Sequence, residues 1–273
     1  MTILQDHKKK QRIFKSVVSI CQHLLQSPLG SSAREYLDKR LDIEDQLKWK
    51  FGYFPDDKNL HELTSLIKKE DLELINLYYP KFLAGGTLPH GHFADHNLVM
   101  PFHNVHNEIV SLLGRTLIES EEERRDRELQ KYKYSSGSQK DLYVFGLNKA
   151  KDSIIENNFV IGVEGQFDCI SLHTQGITNS IAFGWANMSK FQLFQLHRYT
   201  NNIILMFDND EAGQKAKGRV KTRYKDCANI KVCSPPKGFK DIDQFFRECT
   251  DLEYKRDVIF KIKNLGEKDG WKN

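Results

Sequence analysis

The chain has 273 residues, 39% hydrophobic and 29% charged, with a net charge of +4 and a pI near 8.6. That length fits one large domain or two to three small ones, and so mild a basicity permits nucleic-acid binding only where the basic residues cluster. Five cysteines (Cys21, Cys169, Cys227, Cys233 and Cys249) without a C-x2-C pair argue against a disulfide framework or a zinc ribbon, and no apolar run is long enough to span a membrane.

In chain order, residues 1–50 read as helical, with Leu24, Leu25, Tyr36 and Leu37 as apolar positions. Ser27-Pro28-Leu29-Gly30-Ser31 interrupts them, and Ser31 or Ser32 could cap the next helix. The basic run Lys8-Lys9-Lys10-Gln11-Arg12 reads as a solvated, disordered arm, with template holding as the functional alternative. Residues 60–80 carry a further helical pattern ended by Pro80. Glycines then cluster at Gly85, Gly86 and Gly91, and two apolar runs, NLVMPF and EIVSLLGRTL, flank the polar link HNVHN as in a β-hairpin. His90, His92, His96, His103 and His106 match no familiar metal spacing and read as surface-loop histidines. The stretch ESEEERRDRELQK reads as a solvated helix or a loop.

From residue 148 to 240 strands and helices alternate, which implies an α/β unit with a mostly parallel sheet covered by helices. Residues 1–147 form an α+β N-terminal subdomain and residues 241–273 a short helical tail. Phe191, Leu193, Phe194 and Leu196 are spaced as a buried helix face; Phe183 and Trp185 at a strand end read as residues that close the core, with stacking on a base of a single strand as the functional alternative.

Carboxylates gather where strands of this unit end. Glu164 follows the first, Asp208 and Asp210 follow the third, and Asp241 and Asp243 follow the fourth; Asp168 lies four residues past Glu164. Ligands collect beyond the carboxyl ends of parallel strands, and clustered carboxylates repel unless a cation sits among them. Hard oxygen donors suit Mg²⁺ or Mn²⁺. The D-x-D spacing puts both aspartates on one side of an extended segment, and Gly165 and Gly213 let backbone pass close by. Asp168 and Asp243 are also the two that could be plain helix caps.

The set VEGQFD, FDNDEAG and KDID resembles the TOPRIM domain shared by bacterial-type (DnaG-like) DNA primases, topoisomerases and certain nucleases. The upstream segments EYLDKRLDIEDQLKWKFGYFPDD, HNLVMPFHNVHNEIVSLLGRTL and KYKYSSGSQKDLYVFGLNKA resemble the primase branch, in the family's order, over about residues 33–246. The resemblance implies Glu164, Asp208 and Asp210 as catalytic residues, with Asp168, Asp241 and Asp243 joining them at the metal. It implies Arg115, Lys131 and Lys140 as nucleotide or nucleic-acid contacts. Asn97 stands near the place of a family arginine, Asn107 replaces a hairpin glycine, and AFGWANMS replaces the usual turn after the second TOPRIM strand.

What the resemblance implies is a primase-type RNA polymerase that uses Mg²⁺ or Mn²⁺ without zinc. Its expected partners are a single-stranded DNA template, NTPs, and a replicative helicase or separate template-recognition protein, in the cytoplasm. The expected form is a core without zinc-binding and helicase-binding domains, of the kind found in phages and mobile elements. The alternatives are a TOPRIM nuclease, which shares the metal site, and a non-catalytic DNA-binding replication subunit.

Overall fold

The computed structural model of the chain describes residues 3–79, 82–83, 91–267 and 270–271. Pro80, Gly85, Gly86 and His90 lie outside the described residues. The chain divides into two compact units, residues 1–103 with 108–138 and residues 104–107 with 139–273. Among the described residues no helix is long and apolar enough to cross a membrane.

The first unit begins with α1 (Ile3–Gln26), a short turn at Pro28–Gly30, α2 (Ser31–Asp38) and α3 (Ile43–Lys48). The basic run is part of α1 and not an arm. Gln11 exchanges two hydrogen bonds with the backbone of Ile109 (2.7 and 3.0 Å), and Arg12 pairs with Glu70 and Asp71 at 2.9 and 2.6 Å. Those contacts, and Ile13 and Phe14 in the core, hold the helix down. Ser31 opens α2 without capping it. The capping hydroxyl is Ser27, which accepts from the N–H of Leu29 and so starts the preceding turn. Gly30 is required there, because a Cβ would run into the carbonyls of Leu24 and Leu25.

The helical pattern at 60–80 is split. Ile67 is extended (φ −78°, ψ 128°) and separates α4 (Leu60–Leu66) from α5 (Lys69–Tyr78). The hairpin forms as β2 (Leu98–His103) and β3 (Ile109–Arg115), paired antiparallel from Leu98↔Arg115 onward, with Asn107 in the left-handed region at its turn. Two short strands widen it to the order β1-β2-β3-β4, with β1 at Gly52–Tyr53 and β4 at Tyr132–Tyr134. β1 stops before Pro101, so the proline's missing N–H disrupts no ladder. The charged stretch yields only α6 (Glu121–Asp126), started by the Ser120 side chain.

Two of the histidines are not surface residues. His92 stacks on Phe82 (6.0 Å) and bonds to the Tyr134 carbonyl at 2.8 Å. His96 is buried, with Nε2 2.8 Å from the Gln130 carbonyl, and burial lowers its pKa. Both fasten the 91–97 segment to the backbone around β4.

The second unit starts with α7 (Leu147–Asn157) and carries a parallel sheet of order β6-β5-β7-β8. Its strands are β5 (Val160–Val163), β6 (Ser180–Ala182), β7 (Asn202–Leu205) and β8 (Asn229–Val232). The linking helices are α8 (Gln166–Thr174), α9 (Lys190–Leu196) and α10 (Glu211–Tyr224), and α11 (Ile242–Glu248) and α12 (Leu252–Lys263) follow. Val160, Ile181, Ile203 and Leu205 are fully buried, as apolar strands covered on both faces must be. The chain runs from β5 outward to β6 and then returns to β7 on the other side of β5. The strand order therefore reverses between β5 and β7, the position where such sheets open a crevice at their carboxyl ends.

α9 differs from the expected buried face. Leu193 and Leu196 are buried, but Phe191 and Phe194 are 48% and 71% exposed. Phe183 does close the core, whereas Trp185 stays half-buried.

Candidate active site at the carboxyl edge of the parallel sheet

Glu164 directly follows β5, and Asp208 lies three residues beyond β7, at the two strands that bound the switch point. The backbone N–H of Asp208 donates to Glu164 Oε1 at 3.0 Å. Gly213 permits this approach. A Cβ there would press on the Asp208 carbonyl and stand 2.9 Å from Glu164 Oε1. Gly165 likewise leaves room for Asp168, whose Oδ2 would be 2.6 Å from an added Cβ.

In the D-x-D segment the side chains alternate as an extended backbone requires. Asp208 and Asp210 face the Lys240 ammonium, at 3.8 and 3.5 Å. Asn209 faces the other way and clasps the 235–240 loop. Its Nδ2 donates to the carbonyls of Phe239 (2.8 Å) and Pro235 (3.1 Å), and its N–H to that of Lys240 (2.7 Å). Asp210, Ser234, Lys237 and Lys240 line an open cleft of about 510 Å³ beside this segment.

The caps are not the ones the sequence suggests. Asp210 caps α10 by accepting from the Gly213 N–H at 2.8 Å, and Asp241 caps α11 by accepting from the Gln244 N–H at 2.7 Å. Asp168 and Asp243 instead meet each other inside the fold. Asp168 Oδ1 accepts the N–H of Asp243 (3.1 Å), while Asp243 accepts from Ser171 Oγ (2.6 Å) and pairs with Arg247 (3.0 Å).

Burial, and then the charge of Asp208, push the Glu164 carboxyl up to about 7; the Asp208 N–H works against them. Burial raises Asp168 well above the carboxylate range, with Asp241, Asp208 and Asp243 adding to it. Lys240 is held above its usual value. Burial opposes its charge, but Asp208 and Asp210 outweigh burial.

Two lysines of this site escape sequence reasoning. Lys240 precedes the KDID aspartates, yet nothing in its spacing shows that it meets Asp208 and Asp210. Lys217 is 2% exposed inside α10, where its ammonium donates to Ser234 Oγ at 3.1 Å. Burial lowers its pKa, and Cys233, Glu164, Asp208 and Asp210 oppose that shift. A lysine one turn after Gly213 on a helix otherwise rich in Lys and Arg carries no sequence mark of being internal.

Among the described residues no three Asp, Glu, His or Cys side chains are grouped closely enough to hold a metal ion. Asp208 and Asp210 do present adjacent hard oxygens to one cation. Mg²⁺ is commonly held by one or two carboxylates together with water and substrate phosphate, so this donor pair suits it.

The three basic residues differ in setting. Lys140 is exposed, with its ammonium 4.2 Å from the Trp185 ring. Lys131 is exposed in the first unit, 5.8 Å from the Tyr132 ring. Arg115 is buried. Its guanidinium lies 4.4 Å from the Tyr36 ring and donates to the Thr116 carbonyl at 2.9 Å.

Residues 161–246 match the Toprim-like family. The DNA primase of Synechococcus elongatus is 29% identical over 96% of this chain and 40% of its own length. That of Thermotoga maritima is 30% identical over 80% of this chain and 38% of its own. The chain spans half or less of the curated relatives' length. Among solved structures, the Aquifex aeolicus primase (zinc-binding and RNA polymerase domains) superposes with a TM-score of 0.73 at 24% identity, over 97% of this chain and 63% of that one. The DnaG primase catalytic domain bound to ssDNA gives 0.73 at 22%, over 94% and 80%.

Proposed function

We propose that this chain, a DnaG-like primase core by fold and relatives, polymerises ribonucleotides on single-stranded DNA. The observation that supports this most is the joining of Glu164 to the Asp208 backbone at the switch point, with Asp208 and Asp210 turned to one cation. Carboxylates at this edge are the chemistry that phosphoryl transfer asks of a protein, which is positioning and charge compensation.

In this reading Asp208 and Asp210 would hold Mg²⁺ or Mn²⁺, which when bound neutralises triphosphate charge, while Asp241 caps α11. Glu164, titrating near 7, takes the proton of the attacking 3′-hydroxyl at its half-buried carboxyl. Asp168 and Asp243 support the edge from within; Asp243 holds Asp168 through its N–H and is itself held by Arg247. In the first unit Lys131 contacts phosphate as a point charge, and Arg115 does so through its guanidinium if the Tyr36 stack opens; in the second unit Lys140 does so as a point charge. Templates, NTPs and a helicase or template-recognition protein are the partners this activity needs.

The test is incubation with single-stranded DNA, labelled NTPs and Mg²⁺ or Mn²⁺, with Asp208→Ala as control. Labelled oligoribonucleotides that vanish in the control bear the proposal out. Shortened DNA would assign a nuclease instead, and bound but unchanged DNA a non-catalytic subunit.

A further inference from the structure

We propose that α9 and the loop entering it form a stacking platform for single-stranded nucleic acid beside the acidic edge. The inference rests on the nucleic-acid reading above and adds a second, non-catalytic contact surface to it. Phe191 and Phe194 are three residues apart and so share one face of α9, and both are exposed. That face is held rigidly from behind. Ser189 and Gln192 form a capping box, the Gln192 amide donates to the carbonyls of Tyr143 (2.9 Å) and Phe183 (3.1 Å), and the Gln195 amide reaches that of Leu142.

Each aromatic ring but one has a cation over it. Lys190 lies 5.1 Å from the Phe191 ring and Lys140 4.2 Å from that of Trp185. Arg198 follows Phe194 by four residues and is exposed. No Asp or Glu occurs between Asp168 and Asp208, so α9 and the loop entering it carry only basic charge of their own; Asp141 approaches from the neighbouring segment, its carbonyl accepting from Ser189 Oγ at 2.6 Å. The platform reaches the site, because the N–H of Gly184, next to Trp185, donates to the Glu164 carbonyl at 3.0 Å.

The occupant follows from this chemistry. Planar rings interleaved with cations suit unpaired bases and their phosphates. A second copy of the chain would bring Lys190 and Arg198 face to face with themselves across a two-fold axis. A protein partner would have to supply acidic residues around an aromatic insert, which is an outcome the test separates.

The experiment uses the whole chain and a fluorescent oligothymidylate, read by anisotropy, with Phe191→Ser/Phe194→Ser and Lys190→Glu variants whose circular dichroism is checked first. The double variant is expected to bind about tenfold or more weakly at an unchanged salt slope, and Lys190→Glu to reduce the slope. An oligonucleotide carrying 5-iodouracil should cross-link to Trp185, Phe191 or Phe194. Equal affinity in wild type and double variant, with cross-links elsewhere, overturns the platform and leaves the functional reading standing. Unchanged affinity, with a wild-type dimer that the double variant dissociates, overturns it in favour of self-association. If wild type binds no oligonucleotide, the platform and the nucleic-acid reading fall together.

Discussion

The backbone N–H of Asp208 donates to Glu164 Oε1, so the ends of the two strands that flank the sheet's reversal are tied through a carboxylate. That bond uses one acceptor of Glu164 and leaves Asp208 and Asp210 to face a cation, which at present is the Lys240 ammonium.

Glu164 titrates near 7 in the fold against 4.5 for an ordinary glutamate, so the folded state holds its proton more tightly. Its stabilising share is complete below pH 4.5 and is lost as pH rises through about 7. After allowance for the water that reaches this half-buried carboxyl, the share is on the order of 1–2 kcal/mol. Asp168 adds a slope of the same sign. In the absence of divalent ions, urea unfolding from pH 5 to pH 8 should show falling stability. The Glu164→Gln variant should fall less steeply, and identical slopes would contradict the assignment.

Lys240 competes with any divalent ion for Asp208 and Asp210. Lys240→Met should raise Mn²⁺ affinity by roughly threefold to tenfold at low salt, since a like charge a few ångströms away is removed. Isothermal titration of both proteins checks this. A weaker ion in the variant would mean that Lys240 organises the carboxylates and does not displace the metal.

Asn209 anchors the 235–240 loop with its amide. Asn209→Ala leaves the carbonyls of Phe239 and Pro235 without that donor and should cost about 1–3 kcal/mol. Asn209→Asp should cost more, because a carboxylate oxygen then faces carbonyl oxygens. Hydrogen exchange should report earlier opening of residues 235–240 in both.

The architecture of the second unit was legible because apolar strands and helices alternate with clear punctuation, and the hairpin because two apolar runs flank a short polar link. The carboxylates were legible because D-x-D has a fixed geometry on extended backbone. Other features were hidden for definite reasons. The four apolar residues of α9 split into two stripes with identical three-residue spacing, and spacing alone does not say which stripe faces inward. Lys8–Arg12 looks like a tail until Gln11 is seen bonded to Ile109, which is 98 residues away. Lys217, Lys240 and the Asn209 clasp depend on the path of the 233–240 loop, and no local period encodes that path. The buried meeting of Asp168 with Asp243 follows from how α8 and α11 pack.

The central claim is that Asp208 and Asp210 hold a divalent ion beside the Glu164 carboxyl, and Mn²⁺ binding followed by electron paramagnetic resonance tests it most directly. The prediction is saturable binding at pH 8 that weakens as pH falls through about 7, with loss in Asp208→Ala and marked weakening in Asp210→Ala. Saturable binding left intact in Asp208→Ala, or no dependence on pH across that range, would contradict the account.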